Sequence, residues 1–165
     1  MQRRSSLILG FILLGVLGMG MALFYPQSDE EKIAEQLHGL AQAIGFSEPI
    51  ANPVFFGSAL AEHLEPYMTE SVQVMVPEVQ QHLPRERARL ALAAALALSR
   101  YGSLDVSLSD LAIVLLPEGA NVTAQARVTA TSGSEPKMDR RPVHFALVRE
   151  SGTFKVSSVR VEPPQ

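Results

Sequence analysis

The sequence of 165 residues contains no cysteine, and this absence removes several kinds of site at once. It excludes a disulfide framework, a thiolate metal site and a thiol nucleophile. It also excludes the lipid-carrying cysteine of a lipoprotein, because no such residue follows the apolar stretch at the amino end.

Acidic residues are absent from the first 28 positions, and Asp29 is the first of them. Arg3 and Arg4 are two of the 14 basic residues, so the chain after residue 28 carries 12 basic against 17 acidic side chains. That acidic remainder has no clustered Lys and Arg stripe of the kind that releases counterions from a phosphate backbone. We therefore predict no nucleic-acid partner.

Charge is also missing from the nineteen residues between Leu7 and Tyr25. At about 1.5 Å per residue, a helix of this length comes close to the roughly 30 Å of a bilayer core. Arg3 and Arg4 before the run predict a cytoplasmic amino terminus, so the remainder is exported. The alternative is a cleaved signal peptide, for which Gly20-Met21-Ala22 offers a poor small-x-small site. Both interpretations place the domain outside the cytoplasm, and the first predicts a single-pass protein of the inner membrane with a periplasmic or extracellular domain.

The chain divides into three predicted parts. Residues 1–27 form the cytoplasmic tip with the anchor or signal peptide, residues 28–162 form one exported domain, and residues 163–165 are a frayed tail. Ser28 and Glu31 fit a capping box, which predicts a first helix over Asp29 to Ile44 that Gly45 ends.

Two more helices are predicted before the strands begin. Residues 46–57 are proline-rich and predict an irregular connection whose apolar residues are buried: Phe46, Val54, Phe55 and Phe56. Ser58 is expected to cap a short second helix with Leu60, Leu64 and Met68 on its inner side. A third helix is expected from Pro84 to about Arg100.

The valines at 72, 74 and 76 alternate with other residues and predict a short strand that Pro77 stops. The last third predicts an antiparallel meander of three or four strands. Its apolar phase changes near Ser109 and Asp110, which predicts a bulge, and changes again between Val156 and Val159. Ser151-Gly152 predicts a tight hairpin turn. The expected class is α+β, with three helices packed on a curved antiparallel sheet and one transmembrane helix in front.

Three short stretches carry a family resemblance. Asp29-Glu30-Glu31-Lys32-Ile33, Arg85-Glu86 and Gly152-Thr153-Phe154-Lys155-Val156-Ser157-Ser158-Val159 resemble the opening helix, the start of the third helix and the closing strand of SnoaL-like proteins. These proteins have the cone-shaped nuclear-transport-factor-two-like fold, and the resemblance covers nearly all of residues 28–162. It implies a pocket between helices and sheet that is a small-molecule site in some members and an assembly surface in others.

Four residues are weak candidates for that pocket. The resemblance extends to members similar to ketosteroid isomerase, in which Asp110 would correspond to an acid and Tyr67 to an oxyanion donor. The simpler interpretations are a strand bulge for Asp110 and helix packing for Tyr67. His63, four residues before Tyr67, could bind an anionic or hydroxylated ligand or lie on a helix surface. His144 could face either the pocket or a packed sheet face.

Neither a metal nor a cofactor is predicted. The four histidines, at 38, 63, 82 and 144, lie on separate predicted elements and form no pair with zinc-ligand spacing. The leading hypothesis is therefore a tethered, non-catalytic domain that binds a ligand, another envelope protein or a second copy of itself. The alternative is a SnoaL-like enzyme or binder that holds a small apolar ligand in an alanine-lined cavity.

Overall fold

The computed structural model describes residues 27–77, 85–133 and 135–163. In these residues three helices and six strands form one α+β unit. The helices are α1 (Asp29–Ile44), α2 (Pro53–Leu64) and α3 (Arg87–Leu98), and the strands are β1 (Met68–Met75), β2 (Arg85–Glu86), β3 (Ser103–Leu116), β4 (Gly119–Ser132), β5 (Glu135–Glu150) and β6 (Thr153–Val161).

Helix α1 has the predicted boundaries, because its start signal is local. The Ser28 side chain accepts a hydrogen bond from the Glu31 amide at 3.2 Å, and the Glu31 carboxylate accepts from the Ser28 amide at 3.0 Å. This reciprocal capping satisfies two amides that lack helical partners. Ile33 and Leu37 on the inner face are fully buried.

Helix α2 begins six residues earlier than predicted. Asn52 is its cap, with its side-chain oxygen accepting from the amides of Val54 and Phe55, and Pro53 occupies the first turn. The predicted cap at Ser58 and the irregular connection through residue 57 are therefore wrong. Proline is well suited to a first helical turn, since its missing N–H would have no partner there.

Burial was predicted for four apolar residues, and it is correct for only two of them. Phe46 and Phe56 pack edge to face with ring centroids 5.6 Å apart, and both are partly buried. Val54 and Phe55 are instead 62% and 78% exposed. Val54 and Phe55 lie on the exposed side of the first turn of α2, while Phe56 on the same turn packs against the core.

Helix α3 is shorter than predicted and packs closely against α2. It begins at Arg87, because Arg85–Glu86 forms a two-residue strand beside β1. The two helices approach at Gly57, where an added Cβ would lie 2.9 Å from the Leu92 Cα. Only a glycine permits this separation, which brings the small side chains of Ala91 and Ala95 into the buried contact.

The six strands form one sheet in the order β2-β1-β6-β5-β4-β3. Strands β3 to β6 form the predicted antiparallel meander, but β1 pairs with β6 in parallel, so the sheet is mixed. Strand β1 also starts at Met68, earlier than the predicted valine pattern. The parallel pairing joins segments almost ninety residues apart, which local patterns cannot reveal.

Both predicted phase changes are confirmed as irregularities in the ladders. The β3–β4 register shifts between Ser109 and Ala112, and Asp110 has a φ of 55°. The β5–β6 register shifts where Ala146 pairs with Ser158 and Leu147 with Val156. The Ser151-Gly152 turn also forms, with φ values of 51° and 84°. The bulges keep apolar residues on the inner face of the sheet on both sides of each shift.

The core lies between the inner face of the sheet and the helices. Its buried members include Ile33, Leu37, Leu60, Leu64, Val72, Ala124, Val143, Phe145 and Val156. Thr69 is the one buried polar residue of the described chain, and its hydroxyl donates toward the Ser71 and Val156 carbonyls. The alanines of β4 pack within this cluster, which is where the sequence predicted a cavity.

The predicted membrane segment from Leu7 to Tyr25 lies outside the described residues. Among those that are described, no helix is both long and apolar enough to cross a bilayer.

Candidate functional site

Tyr67 is fixed at the side of a groove between α1 and the β5–β6 turn. Its carbonyl accepts from the Val156 amide at 2.8 Å, and its amide donates to the Leu64 carbonyl at 3.1 Å. The Gln36 side chain lies beside it and donates to the Phe154 carbonyl at 3.0 Å. The backbone at Tyr67 is thus held by the helix on one side and by the closing strand on the other.

The Tyr67 ring lies directly against α1 at Gly39. A Cβ at Gly39 would lie 2.5 Å from the ring Cε1 and 2.9 Å from the hydroxyl oxygen. The groove has a volume of about 680 Å³ and is open to solvent. Polar groups dominate its helical wall, namely Lys32, Glu35, Gln36, His38 and Gln42. This wall suits a polar ligand rather than the apolar one expected from the sequence.

His63 does not join Tyr67. Helix α2 ends at Leu64, so the predicted placement of the two residues on one side of a helix is wrong, as is Met68 on its inner face. The helix ends because Pro66 has no amide hydrogen to continue the helical hydrogen bonds, although Glu65 before it keeps a helical conformation. His63 is exposed in the last turn of α2 and is not part of the Tyr67 groove.

Asp110 occupies the bulge of the edge strand β3. Its carboxylate accepts from the Ser109 hydroxyl at 3.1 Å and lies 3.9 Å from the Arg140 guanidinium. The Asp110 and Arg140 side chains are both well exposed. The structure thus supports the bulge interpretation of Asp110 and places it on the surface.

His144 lies on the outer face of the sheet, opposite the helices. Its Nδ1 is 3.3 Å from the Thr123 hydroxyl, and its Nε2 is 3.5 Å from the Glu162 carboxylate. A shallow depression of about 340 Å³ beside it also contains Met75 and Arg160. Cross-strand pairing puts Thr123, His144 and Arg160 in one row across this face.

The four candidate residues therefore occupy four separate places: a groove, a helix end, a strand bulge and the outer sheet face. No two of them share a hydrogen bond or line the same groove. General acid–base chemistry needs its groups within hydrogen-bond reach of one reacting atom. Within the described part of the chain, no set of three or more His, Asp or Glu residues is placed to hold a metal ion.

The outer face of the sheet carries an apolar surface that was not predicted from the sequence. Val114, Leu116 and Val148 are 59%, 47% and 36% exposed, and we call these three residues the outer patch. Leu116 and Val148 both pair with Gly119, so no side chain separates them. The sequence feature that could have predicted this surface is the uncharged run Leu111–Leu116, in which polar and apolar residues do not alternate. A strand with one buried face and one solvent-exposed face should show that alternation.

The amino end of α1 is joined to the sheet by an ion pair. The Arg149 guanidinium lies 2.5 Å from the Asp29 carboxylate and 4.6 Å from the centre of the Phe154 ring. The hydrogen bond from Arg149 is the main cause that lowers the pKa of Asp29, and Lys32 adds to it. This contact fixes the point at which the chain enters the domain.

No known family model and no curated protein matches the sequence. Solved structures do match. A candidate scytalone dehydratase from Novosphingobium aromaticivorans aligns with a TM-score of 0.62 at 11% identity, covering 83% of this chain and 85% of that one. A nuclear transport factor 2 (NTF2-like) superfamily protein from Salmonella enterica aligns with a TM-score of 0.61 at 13% identity, covering 81% and 89%.

A third match is the CaMKII hub of S. rosetta, with a TM-score of 0.58 at 15% identity over 84% of this chain and 98% of the hub. Identities this low establish the fold and nothing finer. The chain has the nuclear-transport-factor-two-like fold that the sequence resemblance implied.

Proposed function

We propose that this protein is a tethered, exported binding and assembly domain whose docking surface is the outer patch. The observation that carries the proposal is the exposure of Val114, Leu116 and Val148 next to one another on a sheet face that no helix of the described chain covers. Contiguous exposed apolar residues on a small domain are typical of protein-binding surfaces. The row of Thr123, His144 and Arg160 supplies a polar border on one side of the patch, as such surfaces have.

The tether is the predicted span from Leu7 to Tyr25, with Arg3 and Arg4 on the cytoplasmic side. Under this proposal the domain lies in the periplasm or outside the cell, and two residues separate it from the end of the span. The ion pair of Asp29 with Arg149 supports a defined orientation, because it joins the first turn after the span to the sheet. The hub among the structural matches is a precedent for this fold in an assembly role.

Crosslinking in intact cells tests the proposal. A photo-crosslinking residue at Val148 should capture a partner, whereas the same residue at the exposed Glu62 of α2 should not. Photo-crosslinking acts over a few ångströms, so only a surface in contact is captured. A monomer at both positions would contradict the proposal.

The second candidate is a small-molecule binder that uses the Tyr67 groove. It is favoured by the groove of about 680 Å³ and by the fixed backbone of Tyr67. Pockets of this size accommodate ordinary metabolites. In the same crosslinking experiment, a chain that captures no protein but retains a small molecule on native mass spectrometry would favour this candidate.

A further inference from the structure

Strand β3 forms one edge of the sheet, and only part of that edge is covered. Near its start Phe46 bridges to Leu104, with the Phe46 amide donating to the Leu104 carbonyl at 2.9 Å and the Leu104 amide donating to the Phe46 carbonyl at 2.8 Å. Helix α1 packs alongside the same half of the strand. Beyond the bulge at Asp110, the described chain places no strand against residues 111–116.

The Phe46 contact also fixes which backbone groups point outward. Since both polar groups of Leu104 face Phe46, even-numbered residues face the edge in the first half of β3. The bulge inserts one residue, because the two residues Asp110 and Leu111 lie opposite the single residue Ala124 of β4. The phase is therefore reversed after it, and the amides and carbonyls of Ile113 and Leu115 face the open edge.

This open segment lacks the protection that edge strands usually have. Natural edges carry lysines, prolines or bulges that prevent pairing with another chain. Residues 111–116 have none of these, and their side chains are apolar on both faces of the sheet. Even Leu115, which points to the inner face, is 42% exposed. A partner for this segment must be an extended strand, because only a strand can satisfy its row of outward amides and carbonyls.

We propose that the partner is a second copy of the same segment, so that two domains join their β3 edges in an antiparallel pair about a two-fold axis at Val114. In this register Ile113 of one copy faces Leu115 of the other, and both residues direct their backbone groups across the interface. If the register shifted by one residue, the edge-facing amides and carbonyls of one copy would lie opposite residues of the other copy whose backbone groups face β4. The segment thus pairs with itself in phase, which an isologous contact requires.

Charges at the ends of the segment fit the same arrangement. The two-fold axis brings Glu118 of one copy near Asp110 of the other. Arg140 lies 3.9 Å from Asp110, and its cross-strand neighbour Arg127 is exposed. In this arrangement Arg140 lies near two carboxylates, Asp110 of its own copy and Glu118 of the other, at each end of the pair. Because Pro117 follows at one end and the bulge precedes at the other, pairing is confined to the six apolar residues between them.

This inference rests on the proposed assembly function and adds a second contact, in which the β3 edge pairs with another copy of the chain. The predicted membrane tether favours pairing, since it confines the copies to one surface and raises their effective concentration. Pairing of the two β3 edges differs from a contact between two outer patches. Edge pairing extends the sheet, whereas a contact between faces stacks two sheets.

The absence of native cysteine permits a direct test on the full chain in its membrane. In the proposed register the two Val114 residues form a non-hydrogen-bonded pair, whose Cα atoms lie about 4.5 Å apart. Val114→Cys should then give a disulfide-linked dimer under mild diamide oxidation, in about tenfold higher yield than Val148→Cys, since disulfides need a Cα separation below about 7 Å. Val148 is the matched control because it lies in the same patch but two strands from the edge.

A charge at the edge gives a second measurement. Val114→Lys should abolish the dimer and leave the secondary structure measured by circular dichroism unchanged, since Val114 is largely exposed, whereas Val148→Lys should leave the edge dimer intact. A disulfide through Val148→Cys without one through Val114→Cys would overturn edge pairing and leave assembly through the outer patch standing. A monomer in every variant, together with no partner captured at Val148, would overturn both proposals.

Discussion

Asp29 illustrates how one side chain connects the entry of the chain to the sheet. It lies in the first turn of α1, where a carboxylate is favoured by the helix dipole, and it pairs with Arg149 at the end of β5. Arg149 in turn covers the Phe154 ring. One charge therefore stabilises both the helix end and its attachment to the hairpin.

The lowered pKa of Asp29 predicts a pH-dependent contribution to stability. Because the folded-state pKa lies below the unfolded value, the contribution is complete above the ordinary aspartate range and is lost as pH falls through the lowered pKa. Asp29→Asn should therefore unfold at lower denaturant concentration than the native protein at pH 7. The two proteins should converge only when the pH is below this lowered pKa, and therefore below the ordinary aspartate value.

Denaturant titrations at several pH values measure this difference. Glu30→Gln is the matched control, since it removes a carboxylate from the same helical turn without breaking the Arg149 pair. If Glu30→Gln has the same effect and the same pH profile as Asp29→Asn, the dipole alone is responsible and the ion pair contributes nothing.

Elements defined by local chemistry could be predicted from the sequence, while those defined by distant contacts could not. Helix α1 has the predicted ends because Ser28 and Glu31 cap it within one turn. The bulge at Asp110 was visible because a strand cannot change its apolar phase without an extra residue. The start of α2 was missed because the prolines within residues 46–57 favoured an irregular connection, although Asn52-Pro53 is also a cap followed by a proline at the first helical position.

The candidate site was predicted less well, because convergence of side chains is a tertiary property. Pairing His63 with Tyr67 assumed a helix that continues past Leu64, and the helix ends there. The exposure of Phe55 depends on how α2 lies on the sheet. The parallel pairing of β1 with β6 was not predicted either, and it is this pairing that fixes the Tyr67 carbonyl on the Val156 amide.

The bulge in β3 gives a prediction about the structural role of Asp110. Its φ of 55° is tolerated by aspartate and glycine but not by β-branched residues. Asp110→Gly should therefore change the free energy of unfolding by less than about 0.5 kcal/mol. Asp110→Val should cost about 1–2 kcal/mol, the usual penalty for a side chain held in the left-handed region.

Denaturant unfolding of the two variants tests this, with Asp105→Val as the control. Asp105 is an exposed aspartate in the regular half of the same strand, where valine should be neutral or slightly stabilising. Equal losses from Asp110→Val and Asp105→Val would contradict the bulge argument, since only one of the two positions has a positive φ.

At the scale of the whole molecule, residues 27–77, 85–133 and 135–163 leave the outer sheet face and half of one edge uncovered. The helices cover the inner face, and the described interior holds one polar side chain, Thr69. Among the described residues, exposed apolar side chains lie on the outer sheet face and also on the helices, where Val54, Phe55 and Leu96 are exposed. This distribution fits a domain that acts through contacts at its surface.

The predicted topology places these surfaces on the outer side of the membrane, and single cysteines can test it because the native chain has none. Glu62→Cys, exposed on α2, should react with a membrane-impermeant maleimide in intact spheroplasts, whereas Ser5→Cys should react only after lysis. Glu62 is suitable because it has no role in the outer patch. Release of the domain by osmotic shock without its first residues would identify a cleaved signal peptide instead of an anchor, and would remove the tether from the proposed function. Protection of both cysteines in intact spheroplasts would place the domain in the cytoplasm, because an exported Glu62→Cys has no barrier between it and the reagent.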